Sequence, residues 1–210
     1  MTTFAVAICA PSGVGKTTVA RALVEGSDDL VFSVSATTRP ARREERPGVD
    51  YHFVSRAEFE SLIADGALLE WAEVHGDLYG TPRANLEEAE RAGKILILDI
   101  DVQGAEQVVA VRPDAVTIFL LPPSFEVLID RLRGRGSEDA SRLRRRMETA
   151  KSELGSVGAF QFTVVNDRLE DAVERIRSII TAERQRQSRS EREVEELTRR
   201  LLEALEGKDV

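Results

Sequence analysis

The first apolar run, Phe4 to Ala10, contains no charged or strongly polar position, and an uninterrupted run of this length predicts a strand buried on both faces. Its successor changes character at once: Pro11-Ser12-Gly13-Val14-Gly15-Lys16-Thr17-Thr18 carries two glycines, a lysine and hydroxyls. Val19, Ala20, Leu23 and Val24 then recur at helical spacing, so the loop runs into a helix that Gly26 ends. Val31 to Ser35 is a short β-prone run. Unalternating apolar runs return at Ile95 to Leu98 and at Ala115 to Leu121, the latter stopped by Pro122-Pro123, and Phe162 to Val165 supplies a last short strand. Between them lie helical patterns. Thr81 reads as an N-cap with Pro82 at the first helical position and Gly93 at the end. Ser124 caps a helix carrying Phe125, Leu128, Ile129 and Leu132, and Leu143, Met147, Ala150 and Leu154 give the next one its own face. Leu169, Val173, Ile176 and Ile180 line another, with Asp167 and Glu170 as its capping box. Strands alternating with helices predict an α/β fold.

The stretch from 35 to 81 breaks that alternation. Asp50 to Val54 reads as a strand, and Ser55 with Glu58 forms a capping box for a helix bearing Phe59, Leu62 and Ile63 and ending at Gly66. Leu68 to Val74 and Leu78-Tyr79 flank His75-Gly76-Asp77, the pattern of a hairpin in a small antiparallel sheet. The segment is expected to be an inserted substrate domain. At the far end charges of both signs dominate from Glu183, yet Val194, Leu197, Leu201 and Leu205 share one helical face. That helix packs either on its own core or on a partner subunit, and the pattern does not separate the two.

Composition narrows the class. At 210 residues with 42% hydrophobic content, the chain is sized for one α/β core with small insertions. A net charge of -8 repels polyanions, which argues against nonspecific nucleic-acid or acidic-membrane binding. The lone cysteine, Cys9, lies in the first strand and supports neither a disulfide nor a four-ligand zinc site. Neither a basic-then-apolar leader nor a membrane-length run is evident, so a soluble, cytoplasmic protein is expected.

The loop after the first strand carries the chemistry. Gly13 and Gly15 allow a tight turn that presents N–H groups to phosphate oxygens, Lys16 adds a mobile charge for the β- and γ-phosphates, and Thr17 suits magnesium. The following helix adds its positive end. Ala10 stands where the P-loop pattern has its first glycine; its methyl removes no donor. An ordinary Gly-Lys-Thr turn is the alternative. Asp99 leaves the carboxyl end of a buried strand, as a magnesium-binding carboxylate does, or else caps the next helix. Arg39, Arg42, Arg43 and Arg46 crowd the loop from 37 to 48, and Arg131, Arg133, Arg135, Arg142, Arg144, Arg145 and Arg146 form a second basic stretch. Each is either an anion cradle or a solvated charged surface.

Taken in order, Pro11 to Thr17, Ser33 to Pro40, Asp50-Tyr51, Glu70-Trp71-Ala72-Glu73, Tyr79-Gly80-Thr81, Leu98 to Gly104, Arg133 to Gly136 and Val165-Asn166-Asp167 resemble the bacterial guanylate kinases over residues 4 to about 187. The resemblance implies a P-loop nucleoside monophosphate kinase fold: a five-stranded parallel core, an inserted β-rich GMP-binding domain and a helical lid. It divides the chain into a core at 1–34, 82–125 and 157–187, a GMP-binding domain at 35–81, a lid at 126–156 and a tail at 188–210. It further implies transfer of the ATP γ-phosphate to GMP, and to dGMP, with Mg2+. ATP would lie on Pro11 to Thr18 and Asn166, and GMP on Ser35, Arg39, Arg42, Tyr51, Glu70, Tyr79, Thr81 and Asp101. Lys16, Arg39, Arg131, Arg135 and Arg146 would serve the transferring phosphate, and Thr17 and Asp99 the metal, partly through water. Phe160-Gln161-Phe162 departs from the tyrosines and aspartate common in relatives. Two rivals stay open: a non-catalytic phosphopeptide-binding module of the same fold, which the retained Lys16 and arginines oppose, and a kinase for a sugar bisphosphate, which Ser35 and Glu70 oppose. A homo-oligomer through the last helix is a further expectation.

Overall fold

The computed structural model describes residues 3–74, 76–133 and 140–206. In chain order the elements are β1 (Ala5–Cys9), α1 (Lys16–Val24), β2 (Leu30–Phe32), β3 (Ala36–Thr37), β4 (His52–Phe53), α2 (Arg56–Ala64), β5 (Leu68–Val74), β6 (Asp77–Pro82) and α3 (Arg83–Arg91). There follow β7 (Ile95–Asp99), α4 (Val102–Val111), β8 (Val116–Leu121), α5 (Phe125–Arg133), α6 (Ala140–Gly155), a 3₁₀ turn at Val157–Ala159, β9 (Phe162–Val165), α7 (Leu169–Arg184) and α8 (Gln187–Glu206).

The main sheet has five strands in the order β2-β7-β1-β8-β9, all pairs parallel. Its centre explains the unalternating sequence of β1. Phe4, Val6 and Ile8 point to one layer with Val19, Leu23, Leu132 and Ile176, while Ala5, Ala7 and Cys9 point to the other with Leu86, Val108 and Phe119. A strand covered on both faces has no solvent side for polar residues. The register sets Ile8 beside Asp99, so the loop leaving β1 and the carboxylate ending β7 emerge together at the carboxyl edge. Open α/β sheets bind ligands there.

The second sheet, β4-β3-β6-β5, is built by residues 36–82 around Phe59, Leu68 and Leu78. The expected hairpin pairs Trp71 with Gly80, but the sheet is mixed, because the long loop after β3 returns β4 parallel to it. Two local expectations are corrected. Thr81 does not cap α3: β6 continues through Pro82, which takes the cap position, and the Thr81 hydroxyl turns inward to Glu70. Asp167 and Glu170 form no capping box, since Asn166 is tied to Leu121 and Val14 and α7 starts late, with Arg168 at its N-cap. Phe125, at the start of α5, lines the same groove as the buried Leu128, Ile129 and Leu132 but is itself exposed. The Ser55–Glu58 capping box is present in full.

On α8 the stripe of Val194, Leu197, Leu201 and Leu205 is 44–71% exposed, so it is not packed on this chain's own core. Among the described residues no helix is long and apolar enough to cross a membrane.

Candidate active site

The turn after β1 closes on itself through Val14 N–H to Pro11 O at 3.2 Å, with Gly13 and Gly15 at φ of 89° and 95°, values that favour glycine. Asn166 from the end of β9 donates to Val14 O at 2.7 Å, and its amide stands so close that a Cβ on Gly15 would meet it at 3.1 Å. Arg131 at the end of α5 reaches the carbonyls of Val14 and Asn166, each at 3.1 Å. Arg146, buried on α6, donates to Leu132 O at 2.7 Å and to Ser12 Oγ at 3.2 Å. These three side chains therefore brace the loop from behind.

In front of it, Lys16 Nζ donates to Ile100 O at 2.5 Å and pairs with Asp99 Oδ1 at 3.1 Å. Burial is the largest single influence and works against the ammonium, but the charge and hydrogen bond of Asp99, with Cys9 and Asp101, together outweigh it and hold Lys16 above its ordinary pKa. The Thr17 hydroxyl donates to Asp99 Oδ2. Asp99 Oδ1 is buried and, apart from that ion pair, accepts no hydrogen bond among the described residues. The capping role that its position also suggested belongs to Asp101, whose Oδ1 accepts the Gly104 N–H at 2.8 Å. Cys9 donates to Asp101 O at 3.2 Å; burial pushes its thiol up to about 12, which leaves it unreactive.

Across a cleft of about 250 Å³ stand the residues of the smaller sheet. The Arg39 guanidinium donates to both oxygens of Glu45, at 3.0 and 2.8 Å, and to Tyr79 Oη at 3.2 Å, and lies 5.4 Å from the Tyr51 ring centre. A fork already matched to a carboxylate is also matched to a phosphate. Glu70 lies deeper, 5% exposed, and accepts the Thr81 hydroxyl at 2.7 Å. Burial is the main cause that pushes its carboxyl up to about 7.

One cleft thus gathers Pro11, Ser12, Gly13, Gly15, Lys16, Thr17, Ser35, Arg39, Arg42, Tyr51, Glu70, Tyr79, Asp99 and Asp101. Thr81 sits behind Glu70, Thr18 faces solvent, and Val14, Arg131, Arg146 and Asn166 support the loop without lining the cleft. Arg135 lies outside the described residues. Sequence reasoning missed Glu153. This α6 residue lines the same cleft, and its Oε2 accepts the Ser12 N–H at 3.3 Å, an anion on a donor suited to phosphate. Burial raises its pKa. Only the helical spacing of α6 bears on it, and Glu153 lies off the apolar face that identified the helix.

Comparison with known proteins bears on the same stretch. The family model of guanylate kinase matches residues 3–183. The chain is 50% identical to the guanylate kinase of Anaeromyxobacter dehalogenans over 85% of its own length and 80% of that protein. It is 48% identical to that of Corynebacterium diphtheriae, covering 85% of this chain and 95% of the relative. A crystal structure of guanylate kinase from Anaplasma phagocytophilum superposes with a TM-score of 0.74 at 35% identity, covering 90% of this chain and 89% of that one. Neither a phosphopeptide-binding module nor a sugar-bisphosphate kinase is favoured by these likenesses. The matched span takes in both sheets and every residue lining the cleft, and it ends before α8; the chain belongs to the guanylate kinase family.

Proposed function

We propose that this chain transfers the γ-phosphate of ATP to GMP, giving ADP and GDP. The observation that carries the reading is a phosphate-binding loop and a buried carboxylate opening on one cleft. ATP phosphates suit the loop of residues 11–18 through the N–H groups of residues 12–18, at the positive end of α1, with Lys16 held charged beside them. Guanine offers N1–H and a 2-amino group side by side, and the ionised Glu70 carboxylate accepts both; adenine has no such pair. Ser35 and Thr81 flank this end. The GMP phosphate suits Arg39, Arg42, Tyr51 and Tyr79, with the Glu45 carboxylate on Arg39 standing in for it in the free protein. Asp101 borders the GMP side.

Phosphoryl transfer needs positioning and charge neutralisation more than covalent help from the protein. Arg131 and Arg146 add positive charge from behind the phosphate loop that they brace, and Arg135 would add it from the segment 126–156, which acts as a lid over the core at 1–34, 82–125 and 157–187 and the GMP-binding domain at 35–81. Magnesium fits this donor set: the buried Asp99 Oδ1 lacks a hydrogen bond, and the Thr17 hydroxyl adjoins the same carboxylate. Bound there with the nucleotide, Mg2+ would neutralise charge on the phosphate oxygens. The substrates and the fold fit a cytoplasmic enzyme. The exposed stripe of α8 supports self-association through this helix, which light scattering with and without residues 188–210 tests; equal numbers of chains per particle would rule that contact out.

A coupled ADP-release assay with ATP, Mg2+ and GMP, dGMP, AMP, CMP or UMP tests the activity. Release is expected to accelerate with GMP and dGMP only. No acceleration by GMP over ATP alone would refute the reading.

A further inference from the structure

Glu70 is carried on an edge strand. β5 ends its sheet, with β6 on one side and, among the described residues, no strand on the other, and outward peptide groups on such an edge need partners. At Trp71, the next residue, the partner is a side chain on the other half of the molecule. Gln107, in the second turn of α4, accepts the Trp71 N–H at 3.2 Å and donates to the Trp71 carbonyl at 2.8 Å. This is the paired exchange that a neighbouring strand residue makes. The same amide nitrogen reaches Gln103 O at 3.3 Å, which ties it to its own helix. One turn earlier on that helix, a Cβ on Gly104 would stand 2.5 Å from Glu70 Oε2 and 3.1 Å from its Cδ. No side chain fits there unless the carboxylate moves.

We propose that Gln107 and Gly104 are positioning residues for guanine recognition: α4 sets where β5 presents Glu70, through the Trp71 peptide, and leaves at residue 104 the space its carboxylate fills. The proposal rests on Glu70 as the guanine acceptor. A carboxylate that must meet two donors at fixed spacing loses much of its selectivity when it shifts by a fraction of a bond length. The clamp's bonds join Trp71 to Gln107, and Gln107 to Gln103, and none reaches the phosphate loop or Asp99.

The test compares wild type, Gln107→Leu, Gln107→Glu and Gly104→Ala with GMP and with IMP, which lacks the 2-amino group. Leucine removes both bonds, and an ionised glutamate turns an acceptor toward the Trp71 carbonyl. For Gln107→Leu KM for GMP is expected to rise about tenfold, the loss of two neutral hydrogen bonds, and for Gln107→Glu and Gly104→Ala to rise in the same direction, the preference for GMP over IMP falling with it in each. KM for ATP and kcat at saturating GMP stay within about twofold, which separates positioning from general destabilisation. Trp71 is the only tryptophan, so its fluorescence during GMP titration reports the same affinity change without turnover. An unchanged KM for GMP and unchanged selectivity in folded variants would overturn the proposal, as would an equal rise in KM for ATP. Failure of wild type to use GMP would instead overturn the reading of Glu70 itself.

Discussion

Replacing Glu70 by glutamine separates the stability of this protein from its selectivity. Burial pushes the Glu70 carboxyl from its ordinary 4.5 to about 7; the Thr81 hydroxyl partly offsets this and Asp101 adds to it. The folded chain therefore keeps this proton to higher pH than the unfolded chain does. Stability at this site is full below pH 4.5, is lost as pH rises toward about 7, and stays lost above. At roughly 1.4 kcal/mol per pH unit, the stability lost at this site is about 3 kcal/mol at pH 8, where Glu70 is ionised and buried, and about 1 kcal/mol at pH 5, where the folded chain keeps its proton while the unfolded chain has released it. Glutamine has no charge to bury, and its carbonyl still accepts the Thr81 hydroxyl, now 2.7 Å from Glu70 Oε1. Thermal melts of Glu70→Gln should show Tm raised by about 6–12 °C at pH 8 and by about 2–4 °C at pH 5. The same variant should lose on the order of a hundredfold in kcat/KM for GMP, because an amide cannot accept two donors on one edge. A Tm gain equal at the two pH values would refute the burial argument, and an intact kcat/KM would refute the guanine assignment.

Other perturbations probe the donor side. Lys16→Ala should lower kcat by about 10²–10⁴ while GMP affinity by equilibrium titration stays within about twofold; an unchanged kcat would count against the loop as the phosphate site. Glu153→Gln removes the anion now on the Ser12 N–H and should lower KM for ATP about threefold, a Coulomb effect of partly exposed charges, with an unchanged or higher KM contradicting it. Asp99→Asn should raise the Mg2+ concentration for half-maximal rate about tenfold, and chelation should abolish activity in wild type; an unshifted Mg2+ titration would place the metal elsewhere.

The main sheet was legible because the signal for each strand is local. A strand buried on both faces is written as consecutive apolar residues, and β1, β7 and β8 all carry that pattern. The phosphate loop was legible for the same reason, since its donors are adjacent in sequence. Capping shows where local reading stops. Ser55 with Glu58 and Asp167 with Glu170 have the same spacing, but only the first pair caps a helix. The difference lies 152 residues away from Asn166, at Val14, whose carbonyl holds the Asn166 amide and delays the helix. Asp99 likewise stood open between metal ligand and cap in the sequence; α4 begins at Val102, which gives the cap to Asp101.

What sequence could not show is how the two sheets fix each other. Glu70 was recognised from its motif, yet its pKa and its aim depend on what surrounds it, and those neighbours are remote: Thr81 across a hairpin, Gly104 and Gln107 on a helix of the main domain. Gly104 is the sharper case, because its contribution is an absence. No periodicity or propensity marks a residue whose purpose is to leave 2.5 Å between a missing methyl and a carboxylate oxygen. The same helix that brings Gly104 to Glu70 has its N-cap at Asp101, two residues past Asp99 and the metal candidate, so a shift of α4 would disturb acceptor and donor sides together. On the proposed roles, selectivity for the base and geometry at the phosphates would be coupled through one short helix, and the clamp at Trp71 is where that coupling would be cut on the acceptor side alone.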